Sequence, residues 1–190
     1  MDTRLIAWGR AVKRGALPPL WFFTDSTRAP DPLPAVARLP KGLCGVVFRH
    51  DAAPDRAVLG ARLAALCRAR RLTLVVAGDA RLAAALHAGL HLRGGRRPAA
   101  LKLPRLVTSS AHATTELQRA CRAGAALLFI SPVFPTASHP GGEVLGALGW
   151  RRLAARAGAV RACALGGIDG GSIRRLGPRC AGAGAIDALL

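Results

Sequence analysis

At 190 residues the chain is long enough for one domain with a real core, and short for a full-sized barrel enzyme. Its hydrophobic share is 51 %, yet no uninterrupted apolar stretch approaches the roughly 18 residues of a membrane span, and no secretory apolar core follows Met1 to Arg4; the sequence reads as a cytoplasmic globular protein. A formal charge of +18 would attract phosphate-bearing partners, but only three of the 28 basic residues are lysine, aromatics make up 4 % and tyrosine is absent, so the charge reads as an arginine-rich bias and nucleic acid is not the expected partner.

Cysteine usage points the same way. Cys44, Cys67, Cys121, Cys163 and Cys180 are odd in number and widely spaced, with no Cys-x-x-Cys pair, which argues for reduced, packed thiols and against a disulfide framework or a zinc site.

Residues 1–19 place Leu5, Trp8 and Val12 at helical spacing among Arg4, Arg10, Lys13 and Arg14, and close with Pro18 and Pro19. This predicts a short N-terminal amphipathic helix flanking a domain that occupies residues 20–190, with a basic targeting presequence as the rival reading. From Leu20 onward one theme repeats. Apolar runs occur at 20–24, 44–48, 72–77, 89–92, 106–108, 126–130, 162–165 and, weakly, 181–186. Helical patterns separate most of them: Val58 to Leu66, Leu82 to Leu86 after Asp79 as a candidate N-cap, Leu117 to Cys121 after Thr114, and a stretch from about Leu145 to Arg156.

Eight strands alternating with helices predict a single α/β domain, a compact (β/α)8 TIM barrel. Two features set it apart from a regular one. The connection between strands four and five has little room for a helix, and the chain reaches Leu190 with no helix after strand eight. The expectation is therefore a barrel with trimmed helices and the last helix absent, the N-terminal segment covering part of the gap.

In such a barrel the carboxyl ends of the strands share one mouth. The sixth apolar run stops abruptly in prolines, hydroxyls, an imidazole and two glycines; Thr136, Ser138 and His139 over Gly141 and Gly142 suit a rim for a small anion, the alternative being a loop that only reverses the chain. Gly166 and Gly167 form a strand-to-helix turn whose amides suit a phosphate. With Arg49, His50, Asp51, Asp79, Arg93, Arg96, Ser110 and His112 at other strand ends, the set favours phosphate binding plus proton transfer over hydride or redox chemistry. His91 lies within a strand and reads as core, His87 reads as helix surface, and His50 has no partner legible in sequence.

Pro132, Val133, Phe134, Pro135 and Thr136, together with Gly166 to Ile168, Ser110 to His112 and Gly89 to Leu92, come in an order and spacing that resembles the thiamine phosphate synthase/TenI family, over essentially the whole chain after residue 20. That resemblance implies a (β/α)8 barrel binding a thiazole phosphate. Synthase members are transferases that use magnesium to couple a pyrimidine pyrophosphate to it; TenI-type members only aromatise the thiazole by moving a proton. By resemblance, Arg49 and Ser110 match pyrophosphate-binding positions, Asp79 a magnesium carboxylate, Thr136 and Ser138 hydroxyls of the loop after strand six, Gly166 a phosphate-binding amide, and His112 the TenI proton shuttle.

Departures fall on the pyrophosphate side: Asp51 and His139 stand where the family has lysine, Gly78 where it has asparagine, Arg96 where it has a second magnesium aspartate, and Asp187 where it has serine. Arg96 with Arg93 could supply as guanidinium the charge of a lost metal ligand set, or both could be solvated loop arginines. His112 could be the proton shuttle or could only cap the following helix. The reading is a small phosphorylated substrate, TenI-like tautomerisation ahead of thiamine phosphate synthesis, and a non-catalytic phosphometabolite or polyanion binder as the third alternative. Magnesium, through Asp79, is the one implied cofactor, no membrane is involved, and a homo-oligomer is compatible with the chain.

Overall fold

A computed structural model describes residues 1–13, 15–98, 103–137 and 141–190. Eight parallel strands close into a barrel in sequence order: β1 (Leu20–Phe23), β2 (Cys44–Phe48), β3 (Thr73–Ala77), β4 (Gly89–Leu92), β5 (Val107–Ala111), β6 (Leu127–Ile130), β7 (Arg161–Leu165) and β8 (Gly182–Ala185), with β8 pairing back onto β1. The connecting helices are α2 (Leu33–Arg38), α3 (Arg56–Ala69), α4 (Ala80–Ala85), α5 (Thr114–Arg122) and α6 (Gly146–Ala154). Among the described residues no helix joins β4 to β5, and β8 is followed only by a 3-10 turn, Asp187–Leu189. Among the described residues no helix is long and apolar enough to cross a membrane.

Most strands read as apolar runs because they are buried on both faces, while β4 and β5 also bury His91, Thr108 and Ser109. Along β1, Trp21 and Phe23 point into the barrel while Leu20 and Phe22 face the helices. The interior is plugged by edge-on aromatics: Phe23 and Phe129 have ring centroids 4.9 Å apart, Trp21 and Phe129 5.8 Å, and His91 packs 5.6 Å from Phe23. Such contacts add about 0.5–1.5 kcal/mol each beyond area burial. The plug also explains the weak eighth strand. A Cβ at Gly184 would lie 2.6 Å from the ring of Phe23, so β8 must be built of small residues opposite a large one.

The N-terminal helix α1 (Thr3–Val12) takes the place that a helix after β8 would fill. It buries Leu5, Ile6 and Gly9 against the barrel, Gly9 lying on Leu20 of β1. Its ends are fastened at opposite ends of the barrel: the Asp2 amide donates to Ala188 O at 2.8 Å, and Lys13 Nζ donates to Gly42 O at 2.6 Å. All five cysteines are free thiols; burial pushes Cys44, Cys67 and Cys180 up to about 12, so they pack as small apolar side chains.

Candidate active site

The carboxyl ends of the strands surround a cavity of about 990 Å³, floored by Phe23, Ala77 and His91. Arg49, Arg93 and Arg96 line one side, from the ends of β2 and β4; Ser110, His112, Thr136, Gly166 and Gly167 line the other, from β5 to β7. Ser138 and His139 lie outside the described residues. Sequence reasoning did not find Asp2, Arg28 or Glu143, which also line the cavity; nothing in the spacing of strand ends signals residues delivered by α1 and by long loops.

Arg49 is held on three sides. Its Nε donates to Thr24 O at 3.2 Å, its Nη2 lies 3.4 Å from Asp25 Oδ2, and its guanidinium stands 5.6 Å over the Phe23 ring. Burial lowers its pKa, and the Asp25 and Asp51 carboxylates oppose that shift. Thr24 ties the neighbourhood together: its Oγ1 accepts from the Arg49 amide and meets His50 Nδ1 at 2.9 Å. His50 is thereby a buried structural residue, its Nε2 against the Ala29 and Pro30 carbonyls.

On the opposite side, β5 runs three residues beyond its predicted end, so Ser109 and Ser110 lie inside the strand. Ser109 Oγ accepts from the Gly95 amide at 3.0 Å and donates to Leu92 O, stapling β5 to the loop after β4; Ser110 Oγ faces the Gly94 amide at 3.4 Å. His112 follows at the strand tip. Its ring does not cap α5; the backbone amide of His112 donates to Glu116 Oε2 at 2.7 Å, while Nδ1 lies 2.8 Å from Ser131 O. A carbonyl only accepts, which assigns the proton of the neutral ring to Nδ1 and leaves Nε2 as the basic nitrogen.

The glycine turn after β7 is shaped by the loop after β6. Leu165 O and Gly166 O accept from the Val133 and Phe134 amides at 3.0 Å each, and Gly167 has φ of +63° where a Cβ would lie 2.5 Å from Pro135 O. Further along, Gly170 N donates to Asp2 Oδ2, while Gly171 N and Ser172 N donate to Asp169 Oδ1. Backbone hydrogen bonds hold both carboxyls below their usual range, foremost from Gly170 for Asp2 and from Ser172 for Asp169. Gly166, Gly167 and Ile168, ahead of these bonded amides, line the cavity. Asp187 lies 3.7 Å from Arg28 Nε.

His91 is core and floor at once. It is 3 % exposed, with Nδ1 2.9 Å from Thr108 Oγ1, and burial, reinforced by Arg49 and Arg93, pulls its pKa down to about 3. At neutral pH it is an uncharged imidazole.

Asp79 does not line the cavity. Its Oδ1 accepts from the Leu82 amide at 2.9 Å, capping α4, and its Oδ2 accepts from Arg56 Nη1 at 3.2 Å. Magnesium takes bare oxygen ligands in an octahedral shell. Both Asp79 oxygens are committed to N–H donors, so Asp79 as it stands offers that ion no open ligand; among the described residues there is no cluster of three or more His, Cys, Asp or Glu.

A family model described as thiamine monophosphate synthase matches residues 21–186. Among solved structures the chain is similar to a thiamine phosphate pyrophosphorylase from Pyrococcus furiosus, at 26 % identity over 89 % of this chain and 85 % of that one, with a TM-score of 0.73. A thiamine phosphate pyrophosphorylase from Bacteroides thetaiotaomicron shares the fold at 19 % identity, 90 % and 84 % coverage and a TM-score of 0.59. So does a KDPG aldolase from Legionella pneumophila, at 14 % identity, 93 % and 84 % coverage and a TM-score of 0.56. No curated protein matches the sequence.

Proposed function

We propose, starting from the fact that this chain belongs to the thiamine monophosphate synthase/TenI family, that it binds a thiazole phosphate at the barrel mouth and moves a proton on it. The observation that carries this reading is the hydrogen bond between His112 Nδ1 and Ser131 O at 2.8 Å. It fixes the ring tautomer with Nε2 left as the accepting nitrogen, on a residue lining the cavity, which suits a proton shuttle. The phosphate end of the ligand is assigned to Gly166, Gly167 and Thr136. In the step itself, Nε2 takes a proton from carbon, the electron pair of that bond shifts into the ring system, and the imidazolium returns the proton at the other end of the rearranged double bond. Substrate and product have the same atoms, and no step requires a cation beyond the side chains present. A cytoplasmic location goes with this reading.

The second reading is thiamine phosphate synthesis, in which the mouth would hold a departing pyrophosphate. It is favoured by the grouping of Arg49, Arg93, Arg96 and Ser110 on one cavity. Against it stands the placement of Asp51, which is ion-paired with both Arg56 and Arg93 and adds negative charge beside the leaving group. Oxyanion stabilisation is typically worth about 3–4 kcal/mol of barrier per donor, so lost cations weigh heavily there. One experiment separates the readings. The purified protein is incubated with the non-aromatic thiazole phosphate tautomer alone, and separately with aromatic thiazole phosphate plus hydroxymethylpyrimidine pyrophosphate and magnesium. Aromatisation in the first arm without thiamine phosphate in the second is the expected result; thiamine phosphate formed at an enzyme-like rate would overturn the preference.

A further inference from the structure

We infer that Arg56 is a resident cation that takes up the carboxylates a divalent ion would need, so that the mouth binds its anionic ligand without a metal; this rests on the reading of the mouth as an anion site. Asp51 follows β2 and Asp79 follows β3. The guanidinium of Arg56, at the start of α3, lies between them: Nη2 is 3.0 Å from Asp51 Oδ1 and Nη1 is 3.2 Å from Asp79 Oδ2. Nη2 also donates to Ala77 O at 2.9 Å, and the guanidinium stacks 5.6 Å from the Phe48 ring centroid. The remaining oxygens are taken as well, Asp51 Oδ2 by Arg93 and Asp79 Oδ1 by the Leu82 amide. All four carboxylate oxygens face a guanidinium or an N–H donor.

Charge counting reaches the same point. Two carboxylates face two guanidinium groups, so the cluster is neutral as it stands and offers a divalent ion no net negative charge. Guanidinium suits this duty because it is always charged and presents its donors in a fixed planar fork. The Arg56 side chain is only 17 % exposed, so it is a positioning residue, locked under the rim. The arginines that line the cavity are Arg28, Arg49, Arg93 and Arg96, with Arg93 shared with Asp51.

Manganese serves as the probe, titrated into wild type, Arg56→Met and Asp79→Asn and followed by the paramagnetic signal of the free ion. Wild type should leave manganese free at millimolar concentration. Arg56→Met, which bares two carboxylate oxygens at a site stripped of its cation, should bind it at least roughly tenfold more tightly, about 1.4 kcal/mol. Manganese binding by wild type that Asp79→Asn abolishes overturns the inference, and so does an Arg56→Met protein that binds no better than wild type. Should that variant fail to fold, inorganic pyrophosphate binding to wild type decides by calorimetry in EDTA and in magnesium. Equal affinity in the two is expected. Affinity that appears only with magnesium overturns the arginine inference alone, whereas wild type that ignores manganese and binds pyrophosphate in neither condition overturns the anion site on which it rests.

Discussion

The Asp2 carboxylate accepts a hydrogen bond of 2.7 Å from the amide of Gly170, joining the first turn of the chain to the loop after β7 at the rim of the barrel. The same side chain caps α1, accepting from the Arg4 amide at 2.8 Å and the Leu5 amide at 3.1 Å. Asp2→Ala should therefore cost about 1–2 kcal/mol, the upper part of the range for a lost N-cap, and Asp2→Asn distinctly less because an acceptor remains. The Gly170 bond holds the Asp2 carboxyl below its ordinary value, so its contribution is complete above the unfolded pKa and is lost as the pH falls through the folded one. Urea unfolding of the three proteins at neutral and acid pH checks both statements. An Asp2→Ala protein as stable as wild type at neutral pH would show that α1 is not held by this cap.

Gly167 lines the cavity at the mouth, and its geometry leaves no room for a side chain. With φ at +63° and Pro135 O 2.5 Å from where a Cβ would stand, Gly167→Ala faces both a left-handed backbone and a backbone clash. The conformational part alone is about 1–2 kcal/mol. Relief requires the loop after β6 to move, which carries Thr136 with it. The expected outcome is a folded but less stable protein whose affinity for phosphate-bearing ligands is lost, read by thermal unfolding and by calorimetry with inorganic phosphate or pyrophosphate; unchanged affinity would separate this turn from the ligand.

His91 gives the barrel interior a pH signature. Its folded pKa is about 3 against an ordinary 6.5, so between those values the unfolded chain binds a proton that the native state refuses. Stability from this group is whole above the unfolded value and declines as pH drops toward the folded one, by at most about 1.4 kcal/mol per pH unit. His91→Gln keeps a polar partner for Thr108 and removes the titration. Comparing urea midpoints from about pH 7 to about pH 4, wild type should lose more stability than the variant. Parallel losses would mean that His91 does not carry the effect.

The barrel was legible because a strand buried on both faces leaves an apolar run, unbroken at 44–48, 126–130 and 162–165 and nearly so at 20–24 and 72–77. The eighth was faint for a physical reason, since Gly182 and Gly184 make room for neighbours instead of supplying bulk. Strand ends were harder. Ser109 and Ser110 read as loop residues because hydroxyls are unusual inside a buried strand, yet the Gly94 and Gly95 amides meet them there. Asp79 was legible as a helix cap and was given a metal by resemblance alone; nothing in its local sequence reveals that Arg56, 23 residues earlier, holds its second oxygen. Likewise His50 found partners in Ala29 and Pro30, carbonyls that no motif announces.

The proton-transfer reading stands or falls on His112. Its Nδ1 is fixed by the Ser131 carbonyl, so substitution removes the base without removing a fold contact that other groups depend on, and the residue is exposed at the rim. His112→Ala should lower kcat for thiazole aromatisation by about 10²–10⁴-fold, the usual worth of a positioned general base, with KM changed by no more than about threefold. His112→Gln can still donate an amide N–H to Ser131 O yet has no basic nitrogen, and it should fail as badly as alanine. That pairing excludes a merely structural role, for which glutamine would restore the rate. In deuterated water, wild type should place solvent deuterium in the product while either variant does not, and added imidazole should partly rescue His112→Ala. A His112→Ala protein that keeps its kcat would remove the base from the mechanism and return the mouth to a binding role.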